Sequence, residues 1–293
     1  MATYPYSVAK ALSVIDQAVE QFKLKAIYAL FSGGHDSLVS THVAFHHHLF
    51  AGVVFIDTGT GLKETRQFVD ETCKTHGWEM HVGKGAWSYE QLIIAYGFPG
   101  PASHNYMYRY LKERPLEAMR QELARKHATI KTITRGKSKG NVKSIPGNIG
   151  FVTGIRQEES LQRMGVVEPF HKQKSIHWIA PLFDWSKLQC TQYITDHQMK
   201  RSIVGDMLGM SGECFCGSHA RPDERRVTET LYPEQGKRIE GWEKLVKVAT
   251  EIGYLDVPQK RQCWGGDRSI SPQQIQLFPL CHYCRGHMED AED

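Results

Sequence analysis

Apolar positions recur along the first half of the chain in two alternating rhythms. Residues 7–23 carry Val8, Ala11, Leu12, Val14, Ile15, Ala18, Val19 and Phe22 at helical spacing, so the chain enters through an amphipathic helix. Ala26-Ile27-Tyr28-Ala29-Leu30-Phe31 is a short apolar run halted by glycines, the pattern of a buried strand feeding a turn. A helix over residues 37–50 follows, then a second buried strand, Gly52-Val53-Val54-Phe55-Ile56-Asp57, closed by Thr58-Gly59. Residues 62–76 predict another helix, and Glu79-Met80-His81-Val82 a third strand.

The alternation continues with helices near 88–96 and 105–127, interrupted by a polar, basic stretch over residues 131–144 that contains Arg135, Lys137, Lys139 and Lys143. Gly150-Phe151-Val152-Thr153-Gly154 and Ile176-His177-Trp178-Ile179-Ala180-Pro181-Leu182 predict two more strands, and a serine cap opens a helix over residues 186–197. Beyond Gly205 the pattern is irregular apart from a helix around 234–252. Strands and helices joined by short connections predict an α/β fold, a parallel sheet of about five strands flanked by helices. The expected division is a nucleotide-binding domain over residues 1–204 and a cysteine-bearing region over 205–293 packed on it.

Composition adds little: 41% hydrophobic and 23% charged residues are ordinary for a globular protein. No apolar run approaches the ~20 residues that span a bilayer. The first residues lack the apolar centre of a secretory signal, so the expectation is a cytoplasmic protein without membrane contact. A formal charge of +4 permits nucleic-acid contact without the strongly basic signature of a dedicated binder. The cysteines change the picture more. Seven is an odd number, and Cys214, Cys216, Cys263, Cys281 and Cys284 crowd the last third, which suggests metal ligation or redox chemistry over structural disulfides. Cys73 and Cys190 read as isolated helix residues.

The first glycine stop carries the main candidate chemistry. A strand, then Ser32-Gly33-Gly34-His35-Asp36-Ser37, then a helix makes a phosphate cradle. Glycines let the backbone approach an anion closely, and the helix offers unpaired N–H groups and its positive dipole end. Ser32 and Ser37 add hydroxyl donors, while Asp36 is suited to orienting the loop or holding magnesium. Arg156 and Arg163 follow a later strand end, where ligands sit in open parallel sheets, and their guanidinium groups can chelate phosphate. Asp57, at the end of the second strand, suits contact with adenosine or a metal, or capping a helix. The run His46-His47-His48 reads as a solvated helix end, since neighbours cannot face the same way on a helix.

The hexapeptide at residues 32–37 resembles the PP-loop of the ATP pyrophosphatase superfamily (adenine nucleotide alpha hydrolase-like), and the Walker spacing is absent. Phe55-Ile56-Asp57-Thr58-Gly59 with Glu64-Thr65, the segment Thr153-Gly154-Ile155-Arg156-Gln157-Glu158-Glu159-Ser160 with Arg163, and Pro181-Leu182 with Trp185 are similar to the phosphoadenylyl-sulfate (PAPS) reductase branch. The resemblance covers roughly residues 24–200 in the expected order. It implies an HUP-like fold that binds ATP with Mg2+ and releases pyrophosphate. It also implies roles for Ser32, Gly33, Gly34, His35, Asp36, Ser37, Asp57 and Gly154 in holding nucleotide. Tyr110-Leu111-Lys112 with Pro115-Leu116 resembles the segment that carries a lysine near the nucleotide, so Lys112, Asp36, Arg156 and Arg163 are the expected catalytic group.

Cys214-Phe215-Cys216 and Cys281-His282-Tyr283-Cys284 form two close pairs, a plausible four-thiolate site for zinc or an iron–sulfur cluster. Relatives in this branch often carry a [4Fe-4S] cluster, so the resemblance favours iron, with zinc as the alternative. Cys263 is a spare thiol. The Glu-Cys-Gly-Leu-His segment of sulfite-forming reductases and the adjacent cysteine pair of cluster-bearing adenylyl-sulfate reductases are both absent. The combination resembles PP-loop enzymes that insert sulfur into nucleic acids, including the DNA phosphorothioation sulfurtransferases. Expected partners are therefore DNA or tRNA, contacted through residues 131–144, and a cysteine desulfurase or other sulfur donor. Two rivals stand beside this reading: a true PAPS or adenylyl-sulfate reductase, and a non-catalytic nucleotide-binding subunit.

Overall fold

The computed structural model describes residues 6–133, 140–158 and 168–267. Strand β1 (Ala26–Leu30) is buried at all five positions because helices cover both faces of its sheet. Ile27 and Ala29 pack with helix α1 (Val8–Phe22), while Ala26, Tyr28 and Leu30 point to the opposite side. The period-2 alternation of a strand thus divides one run of five residues between two cores.

The sheet has six strands in the order β3-β2-β1-β6-β8-β7. Here β2 is Phe50–Asp57, β3 Met80–Lys84, β6 Ile149–Val152, β7 Phe170–Gln173 and β8 Ile176–Ile179. Every pair is parallel except β7 with β8. The five strands expected from the sequence are all present. The sixth, β7, is a half-exposed edge strand with two polar exposed positions, and it returns to β8 through Lys174 at φ 53°. Its pattern, Phe-His-Lys-Gln, lacks the apolar continuity that identifies a buried strand.

One face of the sheet carries α1, α2 (His35–Phe45), α3 (Lys63–His76) and α7 (Lys187–Asp196), which share a core of Phe31, Leu38, Val43, Phe55, Phe68 and Tyr193. The other face is covered by α6 (Arg114–Lys126) through Leu116, Met119 and Leu123. The helix expected over 105–127 is broken into α5 (His104–Tyr108), a π-helical turn at Arg109–Glu113, and α6. Pro115 supplies the reason. It has no N–H to bond back to residue 111, and the chain widens just ahead of it. The widened turn carries Lys112 inward, leaving it 5% exposed.

Residues 205–267 hold more regular structure than their sequence pattern suggests. Two helices missed by periodicity, α8 (Ile203–Leu208) and α9 (Glu224–Leu231), precede the expected long helix, α10 (Pro233–Glu251). Val204, Leu208, Phe215, Ile239, Trp242 and Trp264 form one core with Leu62 and with Tyr89, Leu92 and Ile93 of α4 (Tyr89–Tyr96). The basic stretch begins and ends in a two-stranded antiparallel ribbon, β4 (Thr129–Thr132) with β5 (Val142–Ile145). No helix among the described residues is long and apolar enough to cross a membrane.

Candidate functional site

The loop between β1 and α2 has the conformation of an anion cradle. Gly33 lies at φ +81°, a left-handed region that disfavours side chains, and a Cβ there would meet Thr65 Cγ2 at 2.8 Å. Gly34 caps α2 in extended backbone without a side-chain hydrogen bond. The first N–H bonded back along the helix is that of Leu38, to the Gly34 carbonyl at 2.9 Å. The N–H groups ahead of it therefore have no intrahelical acceptor, as at every helix start. Ser32 Oγ and Ser37 Oγ stand 3.1 Å apart, and Ser37 Oγ donates to the Gly34 carbonyl at 2.9 Å, so both serines line the same turn. His35, the first helical residue, has its Nε2 3.7 Å from Asp206 Oδ1. Burial, then the nearby Arg201 charge, holds its pKa below the ordinary histidine value.

Behind this loop the end of β6 presses closely. A Cβ on Gly154 would sit 2.6 Å from the carbonyl carbon of Asp36 and 2.7 Å from the Ser37 nitrogen, so only glycine permits this approach. Two residues on, Arg156 is 2% exposed. Its Nε donates to Asp36 Oδ2 at 3.0 Å and its Nη1 to Glu158 Oε2 at 3.0 Å. Of the two tasks the sequence suggests for Asp36, this pairing accords with orienting the loop. The guanidinium ties the tip of one strand to the start of the helix that follows another. Arg163, the second expected arginine, lies outside the described residues, as do Cys281 and Cys284.

The loop after β2 forms the opposite wall, and the cysteine segment is built onto it. Asp57 Oδ1 accepts the Gly59 N–H at 2.9 Å, a local turn contact. Thr58 Oγ1 donates to the Glu213 carbonyl at 2.8 Å, Leu62 N–H to the Gly212 carbonyl at 2.8 Å, and Thr65 Oγ1 to the Ser211 carbonyl at 2.7 Å. Thr60 Oγ1 accepts the Phe215 N–H at 3.0 Å and lies 3.7 Å from Cys214 Sγ. Ser211 Cβ would be 3.4 Å from a Cβ on Gly34, which puts this segment directly beside the phosphate loop. Cys216 is buried, with its Sγ 3.1 Å from Ser218 Oγ and 3.9 Å from His104 Nδ1.

Lys112 reaches the same segment from the other side. Its Nζ donates to Glu213 Oε2 at 2.9 Å, with the two side chains 6% and 9% exposed. The lysine expected at the nucleotide is thus joined to the residue that precedes Cys214. Sequence reasoning missed Glu213, His104 and Arg238, whose partners are distant in the chain. Arg238 donates to the carbonyls of Gly59 and Gly61 and stacks over Trp242 with its Cζ 5.0 Å from the ring centroid. It braces the loop after β2 from α10.

Among the described residues no group of three His, Cys, Asp or Glu side chains stands arranged to hold a metal ion. Cys214 is half-buried, Cys263 exposed, and Cys73 and Cys190 are buried helix residues. The histidine run departs from its expected solvation at one position. His46 and His48 are exposed, but His47 is buried and its Nε2 lies 3.1 Å from Asp16 Oδ1. The helix ends at Phe45, so the run turns back toward α1. The ribbon β4–β5 leads through residues 146–148 into β6, at the end of the strands opposite the phosphate loop, because β6 runs parallel to β1.

Comparison with known proteins accords with this arrangement. A curated relative, an uncharacterized protein of Methanocaldococcus jannaschii, is 42% identical over 261 residues, covering 87% of this chain and 56% of its own. The chain thus spans little more than half of that relative's length. Similar solved structures include a phosphoadenylyl-sulfate reductase of Candida auris in a phosphate complex (TM-score 0.46, 19% identity, 68% of this chain and 84% of that one). Another is the FMN adenylyltransferase of Candida glabrata with FAD and inorganic pyrophosphate (TM-score 0.43, 13% identity, 71% and 64%). A third is the NMN synthetase of Francisella tularensis (TM-score 0.42, 12% identity, 81% and 96%). The profile of the phosphoadenosine phosphosulfate reductase domain matches residues 26–202, from the start of β1 through the sheet and α7. With its loop, its arginine and its strand order in place, the chain belongs to the phosphoadenosine phosphosulfate reductase domain family, whose members act on adenine nucleotides.

Proposed function

We propose that this chain is an ATP pyrophosphatase that adenylates an oxygen of its substrate and hands the activated site to a sulfur nucleophile. The observation that carries the reading is the shared wall of the two halves of the chemistry. The cysteine segment Ser211–Cys216 is seated on the loop after β2 and touches the phosphate loop at Gly34. A nucleotide held at residues 32–37 would have thiols within its own site.

The substrate oxygen attacks the α-phosphorus, the bond to the bridging oxygen breaks, and pyrophosphate leaves into the loop; Mg2+, when bound with the nucleotide, would offset the charge of the leaving group. The N–H groups at the start of α2 and the hydroxyls of Ser32 and Ser37 receive the phosphates. Arg156 holds the loop in shape through Asp36, and Arg163 is the remaining arginine for phosphate contact. The terminal sulfur of a persulfide then attacks the adenylated centre. The bond to the adenylated oxygen breaks and AMP departs with that oxygen. A second thiol cleaves the remaining S–S bond, leaving sulfur on the substrate and a disulfide on the protein. The sulfur donor is a cysteine desulfurase or similar partner, with exposed Cys263 as a carrier on this chain. Cys214 and Cys216, with Cys281 and Cys284, would hold a [4Fe-4S] cluster, or zinc in its place, which when bound supplies sulfur or electron chemistry. The acceptor class is nucleic acid, DNA or tRNA, and the setting is cytoplasmic.

The test pairs two assays on anaerobically purified protein. Pyrophosphate and AMP formation from ATP should require the acceptor and disappear in Asp36→Ala, while iron and sulfide content should fall in Cys214→Ser. Release of sulfite from a sulfonucleotide in the presence of thioredoxin, without pyrophosphate formation, would replace this reading with that of a reductase. Nucleotide binding without turnover on any acceptor would leave a binding subunit.

A further inference from the structure

Two aromatic pairs lie next to one another beyond the carboxyl end of β3. Tyr106 of α5 and Tyr110 of the π-helical turn are four residues apart, so they follow one another along one face. Each packs against a ring from one end of α4. Tyr110 meets Trp87, two residues ahead of the helix, with centroids 5.5 Å apart, and Tyr106 meets Tyr96, its last residue, at 5.0 Å. Each pair also carries an arginine: Arg114 Cζ lies 4.3 Å from the Tyr110 centroid and Arg261 Cζ 5.9 Å from that of Tyr106. The outer rings remain in solvent, with Trp87 and Tyr96 each 40% exposed.

Exposed rings interleaved with positive charge suit unpaired bases joined by phosphates. Arg109 and Arg114 are exposed, and among the described residues neither is paired with a carboxylate. Their acidic neighbour Glu113 is bonded to Lys174 at 2.6 Å. The rings are also held in advance of any ligand. A Cβ on Gly85 would lie 2.6 Å from the Tyr110 carbonyl oxygen, so the loop carrying Trp87 rests on the backbone of the π-helical turn. Strand β3 is parallel to β2, and β2 to β1, so this surface opens at the same end of the sheet as the phosphate loop. Two strand spacings, about 10 Å, separate β3 from β1. Lys112, two residues past Tyr110, reaches Glu213 beside Cys214.

We propose that Trp87 and Tyr96, backed by Tyr110 and Tyr106 and flanked by Arg109 and Arg114, form a stacking platform for the unpaired bases of an RNA loop. The inference rests on the reading of the acceptor as nucleic acid, and it deepens that reading by naming where and in what form the acceptor is held. Bases stack on the two outer rings, and the arginines meet the phosphates between them. RNA is the occupant because its loops present bases already out of a duplex, whereas duplex DNA must first be opened.

The probe is a fluorescein-labelled RNA hairpin with an open loop, titrated into the full chain and read by anisotropy. A blunt RNA duplex and a DNA hairpin of the same sequence are the comparisons. The RNA hairpin should bind more tightly than either, and Trp87→Ala/Tyr96→Ala should weaken it by about tenfold or more. Trp87→Phe/Tyr96→Phe keeps a ring at both places and should retain most of the affinity. Arg109→Gln should reduce the slope of log affinity against log salt by about 0.7, one phosphate contact on a single strand. That exposed position carries the test if the aromatic variants do not fold. Equal affinity in wild type and the double alanine variant, equal binding of the blunt duplex, or tighter binding of the DNA hairpin would each overturn the proposal. So would no binding of the RNA hairpin at about 0.1 mM, where non-specific contact already sets in. Loop binding as described, with pyrophosphate release that no RNA stimulates, would support the platform and remove the acceptor reading. Pyrophosphate release stimulated equally by RNA in wild type and the double alanine variant would remove the platform alone.

Discussion

Lys112→Met is the most informative single change, because it separates a lysine that reaches a nucleotide from one that holds the cysteine segment. The pair with Glu213 is nearly dry, with the side chains 6% and 9% exposed and 2.9 Å between charged atoms. At an effective dielectric of about 20 the gross attraction is ~6 kcal/mol, and removing one partner of such a pair costs ~3–5 kcal/mol because the other charge stays buried. At roughly 2–4 °C per kcal/mol, Lys112→Met should lower the unfolding temperature by roughly 6–20 °C. Glu213→Gln should do nearly as much. The double variant Lys112→Met/Glu213→Gln should recover a large part of the loss, with a coupling of at least ~2 kcal/mol in a urea-unfolding cycle. Nucleotide affinity measured on the same four proteins completes the test. A clamp predicts that affinity follows stability and returns in the double variant. A direct phosphate ligand predicts affinity lost in both lysine variants whatever stands at 213. Additive stability changes with no coupling would refute the clamp.

Further predictions concern the loop, the pH dependence and the C-terminal segment. Gly154→Ala places a methyl within 2.6–2.7 Å of the backbone at Asp36 and Ser37, so it should cost ~1–3 kcal/mol of stability and weaken ATP binding, read by calorimetry. Burial holds His35, His42, His47, His76, His81, His127, His171 and His177 below the ordinary histidine value, His42 at about 4. The unfolded chain therefore binds more protons than the folded one from about pH 6.5 down to 4, and stability must fall as pH falls through that window. A urea midpoint that stays level across it would contradict the burial of these rings. A chain ending at residue 204 should lose the cover of Leu62, Tyr89, Leu92, Ile93 and Phe98, at ~1.5–3 kcal/mol each against a total stability of about 5–15 kcal/mol, and should not fold when assayed by circular dichroism.

The parts legible in the sequence are those where local pattern and burial agree. β1, β2, β6 and β8 are largely apolar runs because both faces of the sheet are covered, and Gly33 after β1 takes a left-handed conformation that no other residue type would take so readily. Strand β7 escaped notice because an edge strand need not be apolar, and the break at residues 109–113 because helical periodicity survives a single widened turn. Asp36 and Lys112 were legible as positions but their contacts were not. Their partners, Arg156 and Glu213, lie 120 and 101 residues away, and only the fold brings them together.

The glycines join the cysteine segment and the proposed nucleotide site into one structure. A Cβ on Gly61 would lie 2.6 Å from the Glu213 carbonyl, and one on Gly212, at φ +67°, would lie 2.6 Å from Thr65 Oγ1. Gly212 thus packs against the same threonine side chain that approaches Gly33 in the phosphate loop. Backbone meets side chain at these points without room for a methyl group, so the segment cannot be displaced without moving α3 and, through Thr65, the cradle itself. Any change in the cysteines that shifts residues 211–216, whether cluster loading or oxidation, therefore acts on the loop that is to hold the phosphates. Conversely, a bound nucleotide that fixes Gly33 and Gly34 steadies the segment carrying Cys214. Such coupling between two sites is reciprocal in binding free energy. ATP should accordingly slow the reaction of Cys214 with an alkylating reagent, and leave the exposed thiol of Cys263 unaffected. Equal protection of both thiols, or of neither, would mean that the shared wall carries no coupling.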